Sequence, residues 1–153
     1  MRMFVVALGL ASIAFASPAF SVWSPAKIAK VKELIAIQEG RAAALQPIVE
    51  GDTTALDALL TDAAALDRLA TEESAKAQEY RNMAATAPNP KTQAEFIDLA
   101  QKLETFATRS EKSATTHHEL AQALEETLQN LRDALDLHLE RAAELKTDLA
   151  NNS

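Results

Sequence analysis

The spacing of hydrophobic residues between positions 92 and 149 is the strongest signal in this chain. Apolar side chains recur there every three or four residues: Phe96, Leu99, Leu103, Phe106 and, after a polar gap, Leu120, Leu124, Leu128, Leu131, Leu135, Ala142, Leu145 and Leu149. Residues three and four apart lie on one side of an α-helix. No Gly or Pro interrupts the segment. The pattern therefore predicts a long helix over about 92–150 whose apolar stripe needs a partner surface.

Two shorter stripes precede this helix. The first follows Ser24-Pro25, a favourable N-cap and first helical residue, and consists of Ile28, Val31, Ile35, Gln38, Ala42, Leu45 and Val49. Pro47 and Gly51 predict that this helix ends near residue 49. The second stripe consists of Leu56, Leu59, Ala63, Leu66, Ala70, Ala77, Tyr80 and Ala84, interrupted by Glu73. It predicts a helix over about 54–87, capped by Asp52-Thr53-Thr54 and ended by a turn at 88–90, which contains two prolines.

Together these stripes predict an all-α fold: an elongated, antiparallel up-and-down helical bundle with coiled-coil-like packing and helices over about 25–49, 54–87 and 92–150. A Thr-x-x-Glu capping box at Thr92 should start the last helix. Two alternatives remain open for that helix, because residues 109–118 are polar and contain a second capping box at Thr116: it is continuous, or it breaks there to give four helices. Pairing about the 88–90 turn covers it only to about residue 126, so the remaining tail either folds back or packs on another chain.

Residues 1–21 have the three-part layout of a secretory signal peptide. Arg2 gives a basic start, and the apolar run over 4–16 is shorter than the roughly twenty residues that span a bilayer as a helix. Cleavage after Ala16, Ala19 or Ser21 fits the small residues that follow, and Ser21 is favoured because Pro18 ends the apolar helix just before it. An uncleaved anchor is the alternative. We expect residues 22–153 to form a single helical-bundle domain without a membrane span, in the periplasm of a bacterium or secreted from it.

Composition narrows the range of functions. The chain carries a net charge of −7, and residues 50–153 hold twenty acidic side chains against ten basic ones, which argues against nucleic-acid binding. The absence of Cys excludes disulfides, Cys-ligated metals and thiol nucleophiles. Hydrophobic residues make up 48% of the chain but aromatic residues only 5%, which suits helices better than sheets.

The three histidines, His117, His118 and His138, are weak metal candidates. Adjacent helical residues point about 100° apart, and no His or carboxylate lies three or four positions from any of the three. His117 and His138 would be about 31 Å apart on a straight helix. A polar layer of Ser110, Ser113 and His117 could include Glu73 only if that residue faced it, and the turn instead places Glu73 opposite about residue 105. We predict no metal, cofactor or catalytic site.

These observations favour an exported, non-enzymatic helical-bundle protein of the bacterial cell envelope that acts by protein–protein interaction, as a structural, scaffold or chaperone-like protein. Its partner would be another protein, or a second copy bound through the C-terminal helix. No phosphate-binding loop or nucleophile motif indicates an enzyme, and the carboxylates lie at spacings typical of solvated helix faces. The alternative is a small-ligand, metal or haem carrier built in the core of a periplasmic four-helix bundle.

Overall fold

A computed structural model describes residues 22–153 as a hairpin of two long antiparallel helices. Helix α1 spans Pro25–Ala85 and helix α2 spans Pro90–Asn152, and each is about 90 Å long at 1.5 Å per residue. The predicted all-α class is confirmed. The predicted signal peptide and its three cleavage sites lie outside the described residues. Neither helix is long and apolar enough to cross a membrane.

Helix α1 does not end near residue 49, so the prediction of separate helices over 25–49 and 54–87 was wrong. Thr53 and Thr54, expected to cap a new helix, instead donate their hydroxyl hydrogens to the carbonyls of Val49 and Glu50, at 2.7 and 3.1 Å. Pro47 costs a helix roughly 3 kcal/mol, but its side chain is exposed. The apolar stripe passes this point in phase, from Leu45 through Val49 to Leu56, so packing against α2 offsets the local cost.

A continuous α1 also covers all of α2, which corrects the expectation of an uncovered tail beyond residue 126. At the open end, the Trp23 backbone N–H donates to the Asn152 carbonyl at 2.9 Å. Helix α2 runs through 109–118 without a break, so the continuous alternative is confirmed and the break that would give four helices is not observed.

The N-terminus of each helix is capped by the side chain of the residue that precedes its first proline. The Ser24 hydroxyl oxygen accepts the Lys27 backbone N–H at 3.3 Å, as the sequence indicates, with Pro25 at the first helical position. The turn predicted at 88–90 is confirmed, but Asn89 rather than Thr92 caps α2. The Asn89 side-chain oxygen accepts the Thr92 backbone N–H at 2.9 Å. The predicted cap was wrong because Pro90 is a suitable first helical residue, which allows the helix to start earlier.

The two helices meet along a seam with a seven-residue repeat. We assign heptad letters so that Ala42 in α1 and Ala100 in α2 occupy position a; positions a and d form the seam. Small side chains dominate position a, and the buried alanines are Ala42, Ala63, Ala70, Ala77 and Ala84 in α1 and Ala100, Ala107, Ala114, Ala121 and Ala142 in α2. Because alanines let helix backbones approach closely, the hairpin is a thin rod in which Leu128 is the only large side chain with less than 2% of its surface exposed.

This seam corrects the predicted apolar stripe of α2. Leu99, Phe106 and Leu120 were expected to face the partner helix, but their neighbours Ala100, Ala107 and Ala121 do so instead. The three larger side chains are 40%, 49% and 53% exposed. Both series keep the spacing of three and four with Leu103 and Leu124, so spacing alone does not choose between them.

Candidate functional site

The three histidines each have one polar partner and do not converge. The His138 ring nitrogen Nδ1 lies 2.7 Å from the Gln38 side-chain oxygen across the seam, and His117 Nδ1 lies 2.8 Å from the Ser113 carbonyl one turn back. His118 Nε2 lies 3.0 Å from the Asp67 carboxylate on the exposed surface. Within residues 22–153, no three His or acidic side chains form a group that could hold a metal ion.

The predicted polar layer is divided into two parts. Ser110 is buried, and its hydroxyl donates to the Glu73 carboxylate at 3.1 Å, so the expectation that Glu73 would miss this layer was wrong. The position of the turn fixes the alignment of α1 against α2 only to within about one helical turn. A shift of that size decides whether Glu73 lies beside Ser110. In the described part of the chain, every buried side-chain nitrogen or oxygen has a hydrogen-bond partner.

His117 and Ser113 belong to a different feature, a shallow groove beside the seam. Its walls are Asp62, Ala65, Leu66 and Leu69 from α1 and Ser113 and His117 from α2. Asp62 and Leu69 occupy position g of the α1 heptad, and Ser113 occupies position g of the α2 heptad. The g rows of the two helices therefore border the same side of the hairpin.

The opposite side is formed by the two e rows, and we call it the charged side. Two ion pairs, Arg81–Glu104 at 2.6 Å and Lys146–Glu39 at 2.7 Å, and one hydrogen bond, between His118 and Asp67 at 3.0 Å, cross between the helices there. A fourth contact runs from the Arg132 guanidinium to the Thr53 hydroxyl at 3.3 Å. All of these residues occupy position e. The charged side therefore ties α1 to α2 through polar contacts that lie in solvent.

Arg81 and Glu104 form the best-defined of these pairs. The guanidinium donates from Nε and one terminal nitrogen to the two carboxylate oxygens of Glu104, at 2.6 and 2.9 Å. These hydrogen bonds lower the pKa of the Glu104 carboxyl below its ordinary value and raise the pKa of Arg81. Two-point contact of this kind fixes the geometry as well as the charge.

The side formed by the g rows is apolar, and we call it the apolar side. It carries exposed large hydrophobic residues from both helices: Leu34, Ile48, Leu69 and Met83 from α1 and Leu99, Phe106 and Leu120 from α2. Ile37 and Leu137, at the adjacent position c, extend it. The charged side exposes only Leu60, Ile97 and Leu139 among its large hydrophobic residues within the described range. Charged residues do occur among the g positions, at Lys27, Arg41, Asp62, Lys76, Arg141 and Asp148.

Sequence reasoning missed the apolar side because it assigned Leu99, Phe106 and Leu120 to the seam. The signal that could have revealed it is the doubling of the repeat: each of these residues is directly followed by an alanine that keeps the same seven-residue spacing. A helix that carries both the alanine series and the series of larger residues has two adjoining apolar surfaces. In α2 the alanine surface packs on α1, and the surface of larger residues faces away from it.

No protein-family model, curated protein or solved structure shows significant similarity to this chain. Any statement about its function therefore depends on the surfaces of the hairpin itself.

Proposed function

We propose that the protein is an exported, non-enzymatic helical protein of the bacterial cell envelope that works by protein–protein interaction through the apolar side of the hairpin. The observation that carries this proposal is the row of half-exposed Leu, Ile, Met and Phe side chains at seven g positions, against three such residues on the charged side. Contiguous apolar surface of this kind marks interaction sites on soluble proteins. Because α1 covers α2 throughout, no C-terminal tail is left uncovered, and we place the contact on the apolar side, to which the C-terminal helix contributes Leu99, Phe106 and Leu120.

Export is tested with the full chain expressed in a bacterial host. Mature protein should appear in the periplasmic fraction with a new N-terminus, Val22 if cleavage follows Ser21. A Leu8→Arg variant, which places a charge in the apolar run, should remain uncleaved in the cytoplasm. Wild-type protein that stays uncleaved in the cytoplasm would contradict the export part of the proposal.

The interaction surface is tested by photo-crosslinking in those cells. A photoreactive amino acid replaces either Phe106 on the apolar side or Leu139 on the charged side, which are 49% and 51% exposed. A specific crosslinked product is expected from position 106 and not from position 139. Equal labelling from both positions, or no product from position 106, would contradict the proposed surface. The mass of the product distinguishes a second copy from another protein.

The alternative function, a periplasmic small-ligand or metal carrier, has one structural feature in its favour, the groove lined by Leu66, Leu69 and His117. The groove is shallow and open, whereas a carrier site normally encloses most of its ligand. Native mass spectrometry of protein purified from the periplasm tests it: a bound small molecule that is lost in a Leu69→Glu variant would favour the carrier, and bare protein would favour the interaction function.

A further inference from the structure

We propose that the partner of the apolar side is a second copy of this chain, and that two hairpins pack face to face as a four-helix bundle with both turns at the same end. This inference rests on the proposed function and names its partner. It follows from the small core of the isolated hairpin, the position of the apolar side around each helix, the size of that side and the charges along its edges.

The isolated hairpin has little core. Its fully buried residues are mostly alanines, and the larger side chains at position d, such as Leu66, Leu103 and Leu124, are only partly buried. Hydrophobic stabilisation scales with the apolar area removed from water, and alanine contributes little area. A second layer of helices would bury both the d residues and the g residues that one hairpin leaves in solvent.

The apolar side is placed where a four-helix bundle requires it. Positions a and d face the other helix of the hairpin, and position g lies roughly a quarter turn further around the helix. Four helices arranged in a square need two contact surfaces per helix at about this angle. The e rows, a quarter turn in the other direction, carry the ion pairs and remain in water.

The area is sufficient for a stable dimer. The apolar side is about 90 Å long and about 20 Å wide, or roughly 1,800 Å², from the helix lengths and diameters. A stable interface needs only about 800 Å² per partner. The charged g residues can therefore lie at the rim or pair across the interface while the apolar residues between them are covered.

The charges at position c, along the outer edges of the apolar side, select the orientation. Near the turn, α1 carries Glu72 and Glu79 there, and α2 carries Lys102 and Arg109 with Glu95 at its first turns. Glu72 lies level with Arg109 and Glu79 with Lys102, as the neighbouring Arg81–Glu104 and Tyr80–Phe96 contacts show. Lys102 also reaches Asp98 on its own helix at 2.6 Å. Within one hairpin Glu72 and Glu79 are on the opposite edge from Lys102 and Arg109.

A two-fold axis parallel to the helices keeps every level unchanged and places α1 beside α2 of the second copy. Glu72 then faces Arg109 of the second copy, and Glu79 faces Lys102 of the second copy, twice over by symmetry. Association with the turns at opposite ends would instead place the Glu72 and Glu79 levels near Ala44 and Ile37, which are uncharged, and would leave Lys102 near Glu144 as the one opposite-charge pair at position c. Charge complementarity therefore favours the parallel arrangement.

The first test measures the mass of residues 22–153 in solution by light scattering over a hundredfold concentration range. Wild type should be a dimer, Leu120→Glu should shift it to monomer, and Leu139→Glu should remain a dimer. The two leucines are matched, at 53% and 51% exposed, on the apolar and charged sides. A wild-type protein that is monomeric at every concentration, or a dimer that Leu120→Glu leaves intact, would overturn the proposal.

Leu120→Glu could act by unfolding the hairpin, so a second variant keeps the wild-type seam and apolar side. The chain has no Cys, which makes a Glu72→Cys/Arg109→Cys double variant a clean probe. Mild oxidation should give a disulfide-linked dimer in high yield. An Ile37→Cys/Glu79→Cys variant, whose α1 positions would meet only if the turns lay at opposite ends, should stay unlinked; if it links and the first does not, the parallel arrangement is wrong.

The two levels of the proposal fail separately. A monomer in solution, combined with a crosslink from position 106 to a different envelope protein, would overturn self-association and leave the interaction function standing. A dimer in solution with no crosslink of any kind from position 106 in cells would contradict the proposed function instead.

Discussion

The charged and apolar sides of the hairpin use the same heptad repeat for opposite purposes. At position e, Arg81, Asp67 and Glu39 find partners on the other helix, so this side completes its contacts within one chain. At position g, Leu69, Phe106 and Leu120 stay half-exposed. The polar residues of one side thus find contacts within the hairpin, whereas the other side keeps large apolar side chains half-exposed.

The difference shows which information each kind of contact supplies. Exposed ion pairs contribute little stability, but opposite charges at matching e positions favour one register of α1 against α2. The apolar side contributes no such selectivity within the chain. It supplies surface whose burial becomes favourable only when a second layer covers it.

The largest expected effect comes from the seam, which belongs to both sides equally. Leu128→Ala should lower the free energy of unfolding by about 2–5 kcal/mol, because it removes the one large side chain that is fully buried within residues 22–153 and leaves a cavity. Leu139→Ala on the exposed charged side should change it by no more than about 0.5 kcal/mol. Urea denaturation followed by circular dichroism measures both. Similar losses in the two variants would mean that the seam is not the main source of stability.

The next effect separates the two sides. Phe106→Ser should lower the free energy of unfolding by about 1.5–3 kcal/mol if a partner covers the ring, the range for burying such a side chain. It should also remove the rise of melting temperature with protein concentration that a dimer shows. Leu139→Ser should leave that concentration dependence in place. A wild-type melting temperature that is independent of concentration would remove the distinction between the two sides.

The sequence predicted the all-α class and the turn at 88–90, because long periodic segments and double-proline turns are strong local signals. It left open whether α2 continues through 109–118. The prediction that the first helix ends near Pro47 and Gly51 was wrong. These residues disfavour a helix locally, but they do not reveal that Val49 and Leu56 belong to one continuous seam against α2. The sequence also failed to choose between Ala107 and Phe106 as the seam residue. That choice depends on how closely the two helices approach, which is a property of the pair and not of either helix.

For the candidate sites too, features set by local sequence could be predicted, and features set by the packing of the two helices could not. The isolation of the three histidines could be anticipated from their spacing, because metal ligands on one helix need partners three or four residues away. The contact between Ser110 and Glu73 could not, since it depends on the register between the helices to within one turn. The apolar side was present in the sequence as a doubled repeat, but assigning it required the seam to be known first.

A smaller effect tests the polar layer that lies in the seam between the two sides. Ser110→Ala should lower the free energy of unfolding by about 0.5–1.5 kcal/mol, because the Glu73 carboxylate loses its hydrogen-bond donor in a partly buried position. Ser74→Ala, at an exposed e position, is the matched control and should have no measurable effect. If Ser110→Ala instead stabilises the protein, the polar layer of Ser110 and Glu73 destabilises the fold relative to apolar packing at the same place.

The smallest effect belongs to the Arg81–Glu104 pair on the charged side, and it depends on pH. Because Arg81 lowers the pKa of Glu104 in the folded state, the pair stabilises the fold at pH values above the ordinary Glu pKa of about 4.3. That contribution is lost as the pH falls through the lowered, folded-state pKa. Glu104→Gln should therefore melt slightly below wild type at pH 7, and the two melting temperatures should converge in strong acid.

Salt provides the control for this last measurement. The Arg81 and Glu104 side chains are both exposed. Raising the ionic strength to about 1 M should therefore reduce the difference in melting temperature between wild type and Glu104→Gln at pH 7. Leu120→Glu, on the apolar side, gives the contrast. The decrease in melting temperature that it causes should persist in high salt, because salt does not screen the burial of apolar surface. A salt-sensitive loss for Leu120→Glu, equal to that of Glu104→Gln, would mean that the two sides differ in charge alone and that no partner covers the apolar side.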